Sequence, residues 1–144
     1  MPYEIRRPGD QPRVKPRLSA LGRRVVAMAL LLALVIAGVA YARTQAANRR
    51  EELAQQVVAA VERSAVVCAN ALAAVKAPAG TVAELQSFLS RLEDSSDVIA
   101  KAEVAQEMIS WCLPYAESSP AQVDELHGAR NRILLAVERY NAAR

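Results

Sequence analysis

The chain has 144 residues, 53% of them hydrophobic, and a formal net charge of +3. It contains one histidine and two cysteines and lacks a glycine-rich phosphate loop, an H-E-x-x-H motif and a C-x-x-C pair, which argues against a nucleotide-binding or zinc-dependent enzyme. Residues 43–144 carry eleven basic and thirteen acidic side chains, so the excess positive charge lies before them and nucleic-acid binding has no support there.

Residues 1–24 form a basic segment with a high proline content. They contain seven Lys or Arg against two acidic residues, and four of the seven prolines of the chain. Helices do not persist at this density of proline, and the segment has little apolar surface to bury. We therefore expect a disordered tail that is attracted to the anionic inner surface of a membrane.

Residues 25–42 form an apolar run, VVAMALLLALVIAGVAYA, without a charge or a proline. Eighteen helical residues rise about 27 Å, close to the ~30 Å thickness of a bilayer's hydrocarbon core. The run therefore predicts a transmembrane helix, with the lipid bilayer as its partner. Basic residues are more frequent before the run than directly after it, where only Arg43, Arg49 and Arg50 lie. This bias predicts a cytoplasmic N-terminus and an extracytoplasmic segment 43–144.

The end of the apolar run allows a second interpretation. Ala40-Tyr41-Ala42 is an A-x-A pattern of the kind that signal peptidase cleaves. The run is longer than the usual core of a signal peptide, and the residues after it continue a helical pattern, whereas cleavage needs an extended segment. We expect a retained signal anchor; the alternative is a secreted helical binding module released after Ala42.

The first segment after the run is predicted to be helical up to about Lys76. Its apolar positions recur at intervals of four and three residues, as expected for one buried face of a helix. They are Val57, Val61, Ser64, Cys68, Ala71 and Val75. Because this heptad-like spacing begins close to the membrane, Leu53, Val57 and Val61 form a candidate coiled-coil stripe through which two copies could pair.

Three shorter helices are predicted to follow. The second begins at the capping sequence Thr81-Val82-Ala83-Glu84, the third stops before Pro114, and the fourth begins at Ser119-Pro120-Ala121-Gln122. Ser95, Ser96 and Asp97 are candidate caps of the third. Their expected core positions are Leu85, Phe88, Leu89 and Leu92; Val98, Ala102, Ala105, Ile109 and Cys112; and Val123, Leu126, Arg130, Ile133, Val137 and Tyr140.

No segment alternates apolar and polar residues with a period of two, so no strand is predicted. The predicted fold class is all-α. It consists of a single N-terminal transmembrane helix that continues into a small extracytoplasmic antiparallel bundle of three to four helices. The helices are rich in alanine, which permits close approach but buries little area per residue.

Residues 125–143, ELHGARNRILLAVERYNAA, resemble the last conserved helix of LemA family proteins. The matching positions are Glu125, Leu126, Asn131, Arg132, Ile133, Ala136, Tyr140, Asn141 and Ala143. The Asn-Arg-Ile step followed by the Tyr-Asn pair carries most of this resemblance, and the order of one span followed by an antiparallel helical bundle is also similar. The resemblance implies a membrane-attached bacterial protein without a cofactor.

Few residues are candidates for chemistry. His127 is the only histidine, and Glu103 and Glu107 lie four residues apart on one helical face without the E-x-x-H spacing of di-iron bundles. We expect a solvated histidine and a solvated acidic face rather than a metal or catalytic site. Arg130 interrupts an apolar stripe, and it either pairs with a glutamate across the bundle or extends its stem over the edge of the core.

Cys68 and Cys112 are the only cysteines, and each lies on the apolar stripe of its own helix. Paired thiols persist as disulfides outside the cytoplasm, so the predicted topology favours a bond between them. The alternative is two separate buried thiols that act as small apolar residues.

The sequence offers no converging set of polar residues for catalysis. Together with the features above, this predicts a non-catalytic, membrane-anchored interaction or scaffold protein of the bacterial cell envelope. Its partner is expected to be another envelope protein or a second copy of the chain, with no nucleic acid, metal or cofactor involved. A small hydrolase that uses His127 or the Glu103/Glu107 pair is the least favoured alternative.

Overall fold

The computed structural model describes residues 19–144. This part of the chain forms four helices, α1 (Ala20–Ala74), α2 (Gly80–Asp94), α3 (Val98–Ala116) and α4 (Pro120–Ala142), and contains no strand. The all-α prediction is therefore confirmed. The described part of the chain divides into two units, with the boundary between Ala42 and Arg43.

Helix α1 begins at a side-chain cap. The amide N–H of Gly22 donates to Ser19 Oγ at 3.2 Å, which satisfies one of the free donors of the first turn. Residues 20–24, which the sequence assigned to the tail, are therefore helical. The disorder expected for the rest of the tail concerns residues 1–18, which lie outside the described residues.

The apolar run lies within α1 and is fully exposed in the chain. An eighteen-residue window of this helix has a mean hydropathy of 2.6, and none of it is buried. Leu30, Leu31 and Leu34, for example, expose more than 60% of their surface. Among the described residues, α1 is the one helix that is long and apolar enough to cross a membrane.

The second unit, Arg43–Arg144, is built around the predicted apolar stripes. The α1 stripe is confirmed, since its first five positions are buried and Val75 is half-buried. Sequence reasoning did not include Met108 and Ala129, which are also buried. Small side chains occupy many core positions and keep the helices close. The buried core consists of Val57, Val61, Cys68, Ala71, Leu72, Leu92, Ala102, Ala105, Met108, Ile109, Cys112, Ala116, Leu126, Ala129, Ile133 and Ala136.

Helix α1 ends two residues before the predicted position. The N–H of Ala77 donates to the carbonyl of Leu72 at 3.0 Å, which closes the last turn. Lys76 takes a φ of 52°, the left-handed conformation that glycine usually supplies at this position. The reversal brings the chain to α2 at Gly80.

The predicted stop before Pro114 is wrong, because α3 continues through this residue to Ala116. A proline removes one amide donor and crowds the preceding turn, which is tolerable near the end of a helix. Ala116 is 1% exposed, and the Tyr115 ring packs against Trp111 with centroids 5.5 Å apart. These contacts stabilise the last turn in spite of the missing hydrogen bond.

Of the candidate caps, one forms as expected, whereas Ser95 lies at the C-terminal end of α2. Asp97 accepts a hydrogen bond from the N–H of Ala100 at 3.0 Å. Thr81 is not a cap, since α2 begins at Gly80 and the Thr81 hydroxyl donates to the carbonyl of Pro78. Ser119 occupies the N-cap position of α4 without a side-chain hydrogen bond, and Gln122 Oε1 is buried without a partner in the described part of the chain.

Candidate functional site

The two cysteines lie at disulfide distance, with Cα atoms 6.1 Å apart. Both are completely buried, Cys68 on α1 and Cys112 on α3, and no free cysteine exists in the described residues. Their positions follow from the apolar stripes, which bring the two helices together at this level. A bond here crosslinks positions 44 residues apart and fixes α1 to α3.

The stripe considered for pairing between copies is used within the chain. Val57 is 0% exposed and Val61 is 3% exposed, and both belong to the core of the second unit. Leu53 is half-buried. The heptad-like spacing thus serves the packing of α1 against its own bundle, and a second copy would have to use another face.

A groove runs between the outer faces of α1 and α4 and consists of two depressions that share Arg139. The first, the Arg49 depression, has a volume of about 690 Å³ and is lined by Gln45, Ala46, Arg49, Leu53, Arg139, Ala142 and Ala143. The second, the Arg63 depression, has a volume of about 350 Å³ and is lined by Gln56, Ala59, Ala60, Arg63, Arg132, Leu135, Ala136 and Arg139. We call the two together the arginine groove. Its rim carries four arginines and no acidic side chain, over an alanine- and leucine-rich floor.

Charge is unevenly distributed in the second unit. Residues 43–50 and 139–144 contain five arginines and no acidic residue, whereas residues 51–138 contain six basic and thirteen acidic residues. Residues 43–50 of α1 lie next to the end of α4, because the guanidinium carbon of Arg50 is 5.7 Å from the centroid of the Tyr140 ring. The five arginines therefore form one basic end on an otherwise acidic unit.

Glu107, a candidate carboxylate of the acidic face, is engaged by an arginine. Its Oε2 accepts a hydrogen bond from Arg91 Nη2 at 2.7 Å. This hydrogen bond lowers the pKa of Glu107 below its ordinary value and raises the pKa of Arg91. Both side chains are about half exposed, so the pair contributes little to stability. Glu103, its neighbour one turn before, is exposed and lies outside this pair.

The remaining polar candidates lie on the surface or at its edge. His127 is exposed, and Arg130 is half-buried without an ion pair in the described part of the chain. Arg130 thus fits the alternative in which its stem covers the edge of the core. Between residues 19 and 144, no group of three or more His, Cys, Asp or Glu side chains is arranged to hold a metal ion.

An aromatic cluster joins α2 to α3. The Phe88 and Trp111 rings have centroids 5.3 Å apart, and Trp111 in turn contacts Tyr115. All three side chains are half-buried. All three pack against the buried core, where Phe88 was an expected position.

The residues of the LemA-like motif have different surroundings. Ile133 is fully buried in the core, whereas Asn131, Arg132 and Asn141 are exposed. Tyr140 is half-buried under Arg50. Arg132 lines the Arg63 depression, and the matching positions Ala136 and Ala143 also lie in the arginine groove.

The chain has no significant match to a protein-family model, a curated protein or a solved structure. The resemblance to the LemA family therefore stays a prediction.

Proposed function

We propose that the protein is a non-catalytic, single-pass membrane protein whose helical unit, residues 43–144, acts outside the cytoplasm as a docking module for a second protein. The observation that carries this proposal is the apolar part of α1, eighteen residues without buried surface in the chain. Exposure of such an apolar segment to water is unfavourable in free energy, and its length and composition fit the hydrocarbon core of a bilayer.

A retained anchor is supported over release after Ala42. Tyr41 and Ala42 lie inside α1, which runs unbroken from Ala20 to Ala74. A cleavage site needs an extended backbone, so the A-x-A pattern is held in an unfavourable conformation. The secreted module stays the second candidate because the pattern itself fits a signal peptidase.

The Arg63 depression is the surface we assign to the partner. Leu134 and Leu135 on α4 are 45% and 53% exposed, and Leu135 lies beside Arg63 and Arg132. Exposed apolar side chains framed by arginines are typical of the centre of a protein interface. They fit a partner that offers apolar residues flanked by carboxylates.

Site-specific photo-crosslinking in native membranes tests this assignment. A photoreactive phenylalanine analogue at Leu135 should give one adduct of defined mass, and charge reversal by Arg63→Glu and Arg132→Glu should abolish it. The matched control is Val82 on α2, which is 59% exposed and lies outside the groove. The mass of the adduct distinguishes a second copy of this 15.6 kDa chain from another protein. Equal adducts at both positions, or an adduct at Leu135 that survives charge reversal, would contradict the proposal.

A further inference from the structure

We propose that the Arg49 depression binds the headgroup phosphate of an anionic phospholipid. This inference rests on the proposed membrane anchor and goes beyond the docking function, because it assigns a ligand to the other half of the arginine groove. It is carried by two observations, the lining of the depression and the distribution of charge over the second unit.

The lining provides two cationic side chains and an apolar wall in one cavity. Arg49 from α1 and Arg139 from α4 are both exposed, and they line the depression together with Leu53 and Ala142. A guanidinium donates two parallel hydrogen bonds to phosphate oxygens, so two arginines suit a phosphodiester anion. The apolar wall offers contact for the glycerol and the first acyl carbons. At about 690 Å³ the depression has the size of an ordinary small-ligand site.

The charge distribution shows that the arginines are concentrated at one end of the second unit. The basic end of the unit, residues 43–50 and 139–144, has no acidic side chain, whereas the rest of the unit is acidic. Arg50 lies over the Tyr140 ring, and this contact brings the two segments together. An anionic surface would attract this end and repel the remainder, which orients the unit.

The short chain segment between the apolar run and Arg49 keeps lipid headgroups near the depression. Arg49 follows Ala42, the last residue of the apolar run, by seven residues, and an extended chain of that length spans at most about 25 Å. Headgroups of the bilayer that holds the run are therefore available at the high effective concentration of a short tether. A soluble anion has no such advantage, so we commit to the lipid as the occupant.

The test uses the full chain, in two steps. Incorporation into nanodiscs of neutral phosphatidylcholine comes first; a chain that stays outside the discs would overturn both the anchor and the lipid site. The second step measures lipid binding to the chain in a neutral detergent by native mass spectrometry, with phosphatidylglycerol and phosphatidylcholine as the probes. We expect phosphatidylglycerol to bind about fivefold more tightly or better, since one additional charge contact of about 1 kcal/mol corresponds to roughly that ratio.

Two double variants with the same change of charge separate the site from general electrostatics. Arg49→Gln with Arg139→Gln should weaken phosphatidylglycerol binding by about thirtyfold, two surface arginines being removed. Arg63→Gln with Arg132→Gln removes two arginines of the neighbouring depression and should leave the affinity unchanged. Circular dichroism should give both variants the helicity of the unmodified chain.

Three results would overturn the lipid site and leave the anchor standing. The first is equal binding of the two lipids in detergent by a chain that enters the nanodiscs in the first step. The second is an equal loss in both double variants, which would indicate diffuse attraction without a site. The third is complete displacement of phosphatidylglycerol by millimolar inorganic phosphate, which would identify a site for a free anion.

Discussion

Cys68 on α1 and Cys112 on α3 face each other in the core, with Cα atoms 6.1 Å apart and neither side chain exposed to solvent. A bond between them closes a loop of 44 residues that contains the whole of α2. Because many core positions are alanine, apolar burial per helix is small, and a covalent link gives this unit stability that its packing supplies only in part.

Reduction of this bond should lower the free energy of unfolding by up to about 4 kcal/mol, the value that chain entropy gives for a loop of this length. The full chain in mild detergent can be unfolded with urea, with and without a phosphine reductant, and followed by the fluorescence of Trp111. The control is the Cys68→Ala/Cys112→Ala variant, whose stability should not respond to the reductant. Identical transitions of the unmodified chain in both conditions would contradict the prediction.

Neighbouring residues on α4 should respond very differently to truncation. Ile133 is fully buried and Leu134 is 45% exposed. Ile133→Ala should lower the free energy of unfolding by about 3 kcal/mol, because it removes buried methyl groups and leaves a cavity. Leu134→Ala should cost about 0.5 kcal/mol. Urea unfolding of both variants measures the difference, and equal costs would mean that α4 presents another face to the core.

Lys76 offers a site for stabilisation. Its φ of 52° crowds the Cβ against the backbone, and glycine avoids this crowding. Lys76→Gly should therefore raise the free energy of unfolding by about 1 kcal/mol. Lys76→Ala is the matched control, since it removes the same charge but keeps the Cβ, and it should bring no gain. A gain of equal size in both variants would assign the effect to charge.

The ion pair between Arg91 and Glu107 makes a prediction about pH. The hydrogen bond from Arg91 holds the pKa of Glu107 below its ordinary value. The contribution of this ion pair to stability is therefore fully present when the pH is above the ordinary pKa of a glutamate. It is lost as the pH falls through the folded-state pKa of Glu107. In Arg91→Gln the pKa of Glu107 should rise, which an NMR titration of the side-chain carboxyl measures. Lys101→Gln, the control for charge, should leave this pKa unchanged.

The sequence predicted the helices and most of the core, because apolar residues at helical spacing determine which face of each helix is buried. The details at the helix ends were less predictable. Thr81 and Ser119 have the sequence of caps, but the Thr81 hydroxyl donates to the carbonyl of Pro78 and Ser119 forms no side-chain cap hydrogen bond. Contacts of Tyr115 and Ala116 stabilise the part of α3 that continues beyond Pro114. Local patterns do not contain these tertiary contacts.

The arginine groove was missed for a related reason. Arg49 and Arg139 are far apart in the chain, and only the packing of α1 against α4 brings them into one depression. The signal available beforehand was compositional: residues 43–50 and 139–144 contain arginine and no acidic residue. Combined with antiparallel helices, that pattern would have placed a basic end next to the apolar run in the sequence.

The intact mass of the protein tests the central claim most directly. The chain is taken from washed native membranes, denatured in the presence of a thiol-alkylating reagent and weighed without reduction. We predict the mass of a chain that keeps its apolar run, lowered by two hydrogens for the disulfide and carrying no alkyl group, since Cys68 and Cys112 would be bonded outside the cytoplasm. The mass of a chain that begins at Arg43 would contradict the retained anchor. A mass that includes two alkyl groups would contradict the extracytoplasmic location of the helical unit.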